Sequence, residues 1–283
     1  MKTGSKGLTS SSSHRHVAIG ICGAVFALPF SAAAQESPAA SEKPPLRVRI
    51  ALGPQALPDY PGADELQFAP LIDAAITRGD ELYEFEAPDE AFGRAILTSG
   101  GFSIGPAFSF EGGRKPEDVG AAVPEVDWTF ELGAFAQYEF GDRFRLYSEL
   151  RKGVNGHEGW AALGGADIIF RDRNEWLFSI GPRVTWTNGT YQDAFFSVSP
   201  ADALLTGLPA YDAGGGIQAL GATGSFVYQL SEQWGLYGYA KYDRLIGDPG
   251  DSPIVLQYGS RNQIAGGIAL TYSFTLSGLD WLN

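Results

Sequence analysis

Residues able to do chemistry are few in this chain of 283 residues. Its histidines are His14, His16 and His157, and its one cysteine is Cys22. Only His157 lies beyond residue 34, in Asn155-Gly156-His157-Glu158-Gly159 between two expected strands. A lipase-type site needs a serine activated by a histidine, and a barrel protease needs a carboxylate and a histidine aimed at one water. Glu158, adjacent in sequence, would leave a strand on the face opposite His157. The expectation is therefore a solvated turn histidine and no catalytic set. One histidine without a cysteine also excludes the usual zinc ligand sets, and no cofactor is expected. Asp243, Asp248 and Asp251 cluster around Gly247 and Gly250. They offer the hard oxygens that Ca²⁺ or Mg²⁺ accepts, but not at the spacing of a known calcium loop; the competing reading is a Gly/Pro/Asp turn. Gly214-Gly215-Gly216 opens a strand rather than a helix, so it is no phosphate cradle.

Charge and composition narrow the class. The formal net charge is −13. It becomes more negative if the first 34 residues are removed, because Lys2, Lys6 and Arg15 leave with no acid. Such a surface argues against nucleic acid as a partner. Residues 1–34 read as an export signal: a basic start, an uncharged, mostly apolar run from Val17 to Phe30, and Ala32-Ala33-Ala34 before Gln35. That run is too short for a membrane-spanning helix, which takes about 20 residues. Residues 35–45 read as a flexible periplasmic linker rich in Ser, Pro and Ala.

From residue 46 onward the pattern is two-fold alternation. In 127–140, Trp128, Phe130, Leu132, Ala134, Ala136, Tyr138 and Phe140 share one face. In 175–188, Trp176, Phe178, Ile180, Pro182, Val184 and Trp186 do so. In 262–274, Ile264, Gly266, Ile268, Leu270, Tyr272 and Phe274 do so. Ten residues of a strand tilted near 40° climb roughly 25 Å, the height of an outer-membrane apolar band. The fold class expected is all-β: one antiparallel transmembrane β-barrel over 46–274, with 275–283 as a C-terminal extension. Twelve strands are expected, at 46–54, 66–76, 81–87, 90–98, 101–110, 127–140, 143–153, 157–170, 175–188, 213–230, 234–245 and 262–274. Long outer links alternate with short periplasmic turns; the links at 88–89 and 154–156 are the two short outer ones. An even count returns both ends of the barrel to the periplasm.

The same alternation points Arg47, Arg49, Arg143, Arg145, Arg151, Arg183 and Lys241 into the bore. Glu131, Glu139, Glu149, Asp167, Glu175 and Asp243 face the same way. Paired, they would fill a narrow twelve-strand interior; unpaired, they would line a selective pore. In the outer loops, Asp59, Asp64, Glu65, Glu111, Glu117, Asp118 and Glu125 either share divalent cations with lipopolysaccharide phosphates or are simply solvated.

Five stretches stand out in order: Tyr60-Pro61-Gly62-Ala63-Asp64; Gly181-Pro182-Arg183-Val184-Thr185-Trp186; Tyr191, Asp193 and Phe195-Phe196-Ser197-Val198-Ser199; Tyr211 with Ala213-Gly214-Gly215-Gly216; and Arg244-Leu245-Ile246-Gly247-Asp248 followed by Asp251-Ser252-Pro253-Ile254-Val255, Gly259-Ser260 and Asn262-Gln263. Together they resemble the MipA/OmpV family of outer-membrane proteins, the last most fully, with Ser197 where the family has glycine. One departure stands out: such barrels usually end on an aromatic, whereas here nine residues, Thr275–Asn283, follow Phe274. The resemblance implies a non-enzymatic barrel in contact with outer-membrane lipid and lipopolysaccharide. It also implies a scaffolding role between a murein hydrolase (a lytic transglycosylase) and a murein synthase, or passage of small solutes.

Overall fold

The computed structural model describes residues 44–277, so the expected signal, most of the linker and residues 278–283 lie outside it. One antiparallel sheet makes up nearly all of it. The strands are β1 (Leu46–Pro58), β2 (Leu66–Arg78), β3 (Phe92–Gly93), β4 (Leu97–Ser99), β5 (Phe102–Glu111) and β6 (Thr129–Phe140). They continue as β7 (Phe144–Gly153), β8 (Trp160–Asp172), β9 (Trp176–Thr187), β10 (Gly216–Gln229), β11 (Trp234–Leu245) and β12 (Asn262–Leu276). Neighbours in sequence are neighbours in space from β5 to β12, and β12 pairs with β1, which pairs with β2. The first and last strands are thus joined by a ladder running from Leu46↔Leu276 to Ala56↔Gly266. The last strand continues two residues past Phe274.

Side chains take the alternation seriously. Along β9, Trp176, Phe178, Ile180, Val184 and Trp186 are exposed on the outside, while Leu177, Ser179, Arg183 and Thr187 are buried inside. Phe178 is 44% and Ile268 52% exposed, and Phe130 packs beside the exposed Phe108 and Phe110. The apolar residues are therefore the outer skin and the polar ones the interior, the reverse of a water-soluble barrel. Such a skin is stable against lipid, and the ladders from β2 through β1 and β12 to β5 satisfy most of the backbone there. The chain is a transmembrane β-barrel.

Two expected elements differ. No strand forms at 81–87, and the one expected at 90–98 is broken into β3 and β4, both on β5. Among the described residues no ladder joins β2 to β3 or β4. The third traverse, residues 79–91, instead runs inside the bore, so 88–89 is not an outer link. The physical reason is its composition. Glu84, Glu86, Asp89 and Glu90 would be costly in a lipid-facing wall, and Pro88 has no N–H for a ladder. The number of traverses stays even, and the long links 59–65, 112–128, 188–215 and 246–261 fall at one end of the sheet.

The outward assignment predicts the cost of a charge. Ile180→Arg, in the middle of β9, should destabilise the barrel by ~2–4 kcal/mol, measured by reversible urea unfolding in lipid vesicles. An unchanged midpoint would take this face away from lipid.

Candidate functional site

The interior is organised by the inward traverse. Phe85 and Ala87 pack with Ala51, Leu71, Ile169, Leu177, Val227, Tyr237 and Ala269, residues contributed by β1, β2 and β8 to β12. Its backbone is held as well. Arg145 Nη1 donates to Phe85 O at 2.9 Å, Arg171 Nη1 to Tyr83 O at 3.1 Å, and Ala91 N–H to Glu149 at 2.9 Å. The segment is a plug tied by side chains rather than by a ladder.

Four cations hold the charged part together, and each is shared by two carboxylates. Arg145 bridges Glu90 and Asp167 (3.1 Å to Asp167). Arg183 bridges Asp167 (2.8 Å) and Asp89 (3.1 Å). Lys241 bridges Asp89 (3.4 Å) and Asp243 (3.1 Å). Arg151 bridges Glu131 (2.7 Å) and Glu149. Thr223 Oγ1 adds a 2.7 Å bond to Asp89. The first three cations form one continuous chain from Glu90 to Asp243 across the bore.

His157 is not the solvated turn residue the spacing suggests. It is 2% exposed, packed against Tyr191 with ring centroids 4.5 Å apart. Its Nδ1 accepts the Gly159 N–H at 2.9 Å, so the ring proton is on Nε2, which donates to Glu131 Oε1 at 3.2 Å. Both nitrogens are engaged, leaving neither to act as a base toward a substrate. What hid its burial from the sequence is long-range: Thr129 Oγ1 draws in the His157 N–H, 28 residues away in the chain.

The outer links fold over the mouth. Five short helices, α1 (Pro116–Val119), α2 (Gly189–Phe196), α3 (Pro200–Thr206), α4 (Gly247–Asp251) and α5 (Pro253–Tyr258), lie in them. Their apolar residues form two clusters, one around Tyr191, Phe195, Phe196 and Val255, the other around Tyr60, Val198, Leu208 and Ile254. Arg114, 1% exposed, pins this lid: it donates to the carbonyls of Phe195, Pro124 (2.9 Å) and Ala194 (3.2 Å). Two of these carbonyls lie at the C-terminal end of α2, where the helix dipole is negative. Burial pulls the Arg114 pKa down to about 10, with Tyr60 and Asp202 acting the other way, so it stays charged at neutral pH.

Between lid and plug lies a chamber of about 370 Å³. Asp59, Tyr60 and Tyr191 roof it, Pro88 and Asp89 floor it, and Glu111, Gln218, Lys241 and Asp243 are among its walls. Gln218 sits at the register shift between Ile217 and Ala219, so that Gln218 and Ala219, consecutive in sequence, are both buried inward. Asp243 lies over Gly221, where any Cβ would come within 1.9 Å of its Oδ1.

The family model described as MltA-interacting protein MipA matches residues 50–274. The chain belongs to the MipA family. No curated protein matches it in sequence. Among solved structures it is similar to an outer membrane channel from Pseudomonas putida F1, with 9% identity over 84% of this chain and 99% of that one and a TM-score of 0.41. It is also similar to OmpT of Vibrio cholerae (10%, 81% and 96%, TM-score 0.31) and to a Pseudomonas aeruginosa FadL homologue (11%, 84% and 73%, TM-score 0.32).

In this MipA-family barrel the resembling segments converge on the lid. Ser260 N–H donates to Gly62 O at 2.9 Å, and Gln263 bonds both Gly62 N–H (3.0 Å) and Ala63 O (2.9 Å). Ser252, fully buried, donates to Phe196 O at 2.7 Å beside the buried Pro253. Asp248 accepts from Gly214 N–H at 2.8 Å, next to Gly247 in its left-handed conformation (φ 57°). Arg244 is exposed and donates to Asn262 at 2.8 Å. Asp243, Asp248 and Asp251 are drawn to three separate partners, Asp251 pairing with Arg261 at 2.6 Å, so they do not converge as one loop of ligands.

Of the residues expected inside, the structure joins Glu131, Arg145, Glu149, Arg151, Asp167, Arg183, Lys241 and Asp243. Arg47 and Arg49 lie lower, over the Tyr83 ring at 5.2 and 4.5 Å. Glu139, Arg143 and Glu175 have the inward parity but sit exposed at the short-turn rim, where the strands end. Glu111, expected in an outer loop, is the last residue of β5 and faces the chamber. Asp89 and Glu90 were missed because they lie in the stretch read as wall and link.

Asp167 is the shared partner of two buried arginines. Asp167→Ala should cost about 3–5 kcal/mol, as a broken buried pair does, read from the unfolding midpoint in vesicles. Arg114→Met should loosen the lid alone: proteolysis within 112–128 and 188–215 rises while the strand content seen by circular dichroism is unchanged.

Proposed function

We propose that this protein is a non-enzymatic outer-membrane barrel whose bore is shut, acting as an adaptor that holds a periplasmic murein hydrolase, and through it a murein synthase, at the membrane. The observation that carries the closed reading is the plug of residues 79–91, fixed through Asp89 and Glu90 to Arg145, Arg183 and Lys241. The adaptor role is supported by the family's description as an MltA-interacting protein. The non-enzymatic reading is supported by His157, whose ring nitrogens are both engaged. Lipid and lipopolysaccharide are the partners of the apolar skin and its acidic outer loops. The docking surface for the hydrolase is the short-turn rim, where Glu139, Asp142, Arg143, Arg173 and Glu175 are exposed.

A second reading, a narrow pore for small solutes, is favoured by the chamber and by a plug that no ladder binds to the wall. Planar-bilayer recording decides between them. The purified protein should show no steady single-channel currents, whereas the Asp89→Ala/Glu90→Ala double variant should show them as the plug loosens. A murein hydrolase should be retained by the immobilised wild type and lost on Arg143→Glu/Arg173→Glu. Steady wild-type conductance without hydrolase retention would replace the adaptor by the pore.

A further inference from the structure

The carboxylates lining the chamber, Asp59, Asp89, Glu111 and Asp243, outnumber its cations, Arg151 and Lys241. Lys241 is already divided between Asp89 and Asp243, and Arg151 between Glu131 and Glu149, which do not line the chamber. Asp59 and Glu111 have no ion-pair partner among the described residues. Uncompensated negative charge in a bore enclosed by lipid is costly, and it is relieved either by protonation or by a bound cation.

Two residues lining the same space, Gln218 and Asp243, each carry an oxygen without a hydrogen-bond partner. Gln218 is 7% exposed, and its Oε1 accepts no hydrogen bond; Asp243 Oδ1 accepts none either. Both are acceptors, so what they lack is a donor. The Gln218 side chain is there because the register shift in β10 turns an extra residue inward, the way bulges re-aim side chains at sites. Leu57, Leu163, Ala161, Ala219 and Ala265 give the chamber an apolar flank. The volume, about 370 Å³, is that of a small-molecule pocket rather than a single-ion site.

We propose that the chamber binds a small organic cation, an ammonium group on a short hydrocarbon frame. The N–H donors meet Glu111 and the Gln218 amide oxygen, and the hydrocarbon lies on the leucine and alanine flank. This site is independent of the adaptor reading, because the chamber lies at the long-loop end of the barrel and the hydrolase would dock at the opposite rim.

Isothermal titration of the refolded full chain in detergent tests it, with n-butylammonium as probe and 1-butanol and butyrate as neutral and anionic counterparts. Saturable binding of butylammonium alone is expected. Glu111→Gln should weaken it at least ten-fold, and Ala265→Trp, which fills the chamber, should abolish it. Heat-modifiable mobility on gels would show both variants folded; if Ala265→Trp fails to fold, Gln218→Leu with a several-fold loss replaces it. The proposal is overturned by an absence of saturable heat, by 1-butanol binding as tightly as the amine, by equimolar sodium displacing it, or by unaltered affinity in folded Glu111→Gln.

Discussion

The sharing of Arg145, Arg151, Arg183 and Lys241, each between two carboxylates, is the constraint on which this barrel depends. These four cations without their acids would be costly inside the wall, and so would Asp89 or Glu90 on the lipid side. Bringing them together solves both problems and draws residues 79–91 out of the wall. The plug, the floor of the chamber and the break between β3 and β4 all follow from that one exchange. Arg183 shows the economy: it also carries a segment resembling the family, and it joins the wall strand β9 to β8 through Asp167 and to the plug through Asp89.

Much of this was legible in the sequence, for a reason that is local. Two-fold alternation is set by the backbone, so Trp176 to Trp186 could be placed outside and Leu177 to Thr187 inside without knowing any partner. Inward parity likewise marked Arg145, Asp167, Arg183 and Lys241. What escaped depends on neighbours distant in the chain. Residues 81–87 alternate well enough to read as a strand; their acids argue against a lipid-facing wall, but the arginines that hold them inside, Arg145 of β7 and Arg171 of β8, are distant in the chain. Parity also gives no height along a strand, so Glu139 and Glu175 read as interior residues although they stand at the rim. His157 looked solvated because Glu131 and Thr129, its partners, belong to another strand. Gln218 escaped because a bulge breaks the very rule by which the interior was read.

The lid and the interior divide the labour differently from what the family segments suggest. Those segments, from Tyr60 to Gln263, are mostly spent on holding outer loops to one another, through Ser252, Gln263, Asp248 and the clusters around Phe196. The interior network joins wall residues marked by inward parity to a plug that parity does not reveal. The part of the chain easiest to recognise therefore builds the roof, and the part that decides whether the bore is open lies in the stretch whose pattern misleads.

The wall itself is uneven. Every other junction around it, including that of β1 with β12, is a run of backbone bonds, whereas β2 and the β3/β4 edge are connected only through the side-chain hydrogen bonds, ion pairs and apolar contacts of the segment tucked behind them. A cylinder made this way has a slit rather than a uniform circumference. Lateral tension in the surrounding bilayer would part it along that line, near the start of the chain, before any laddered junction gave way.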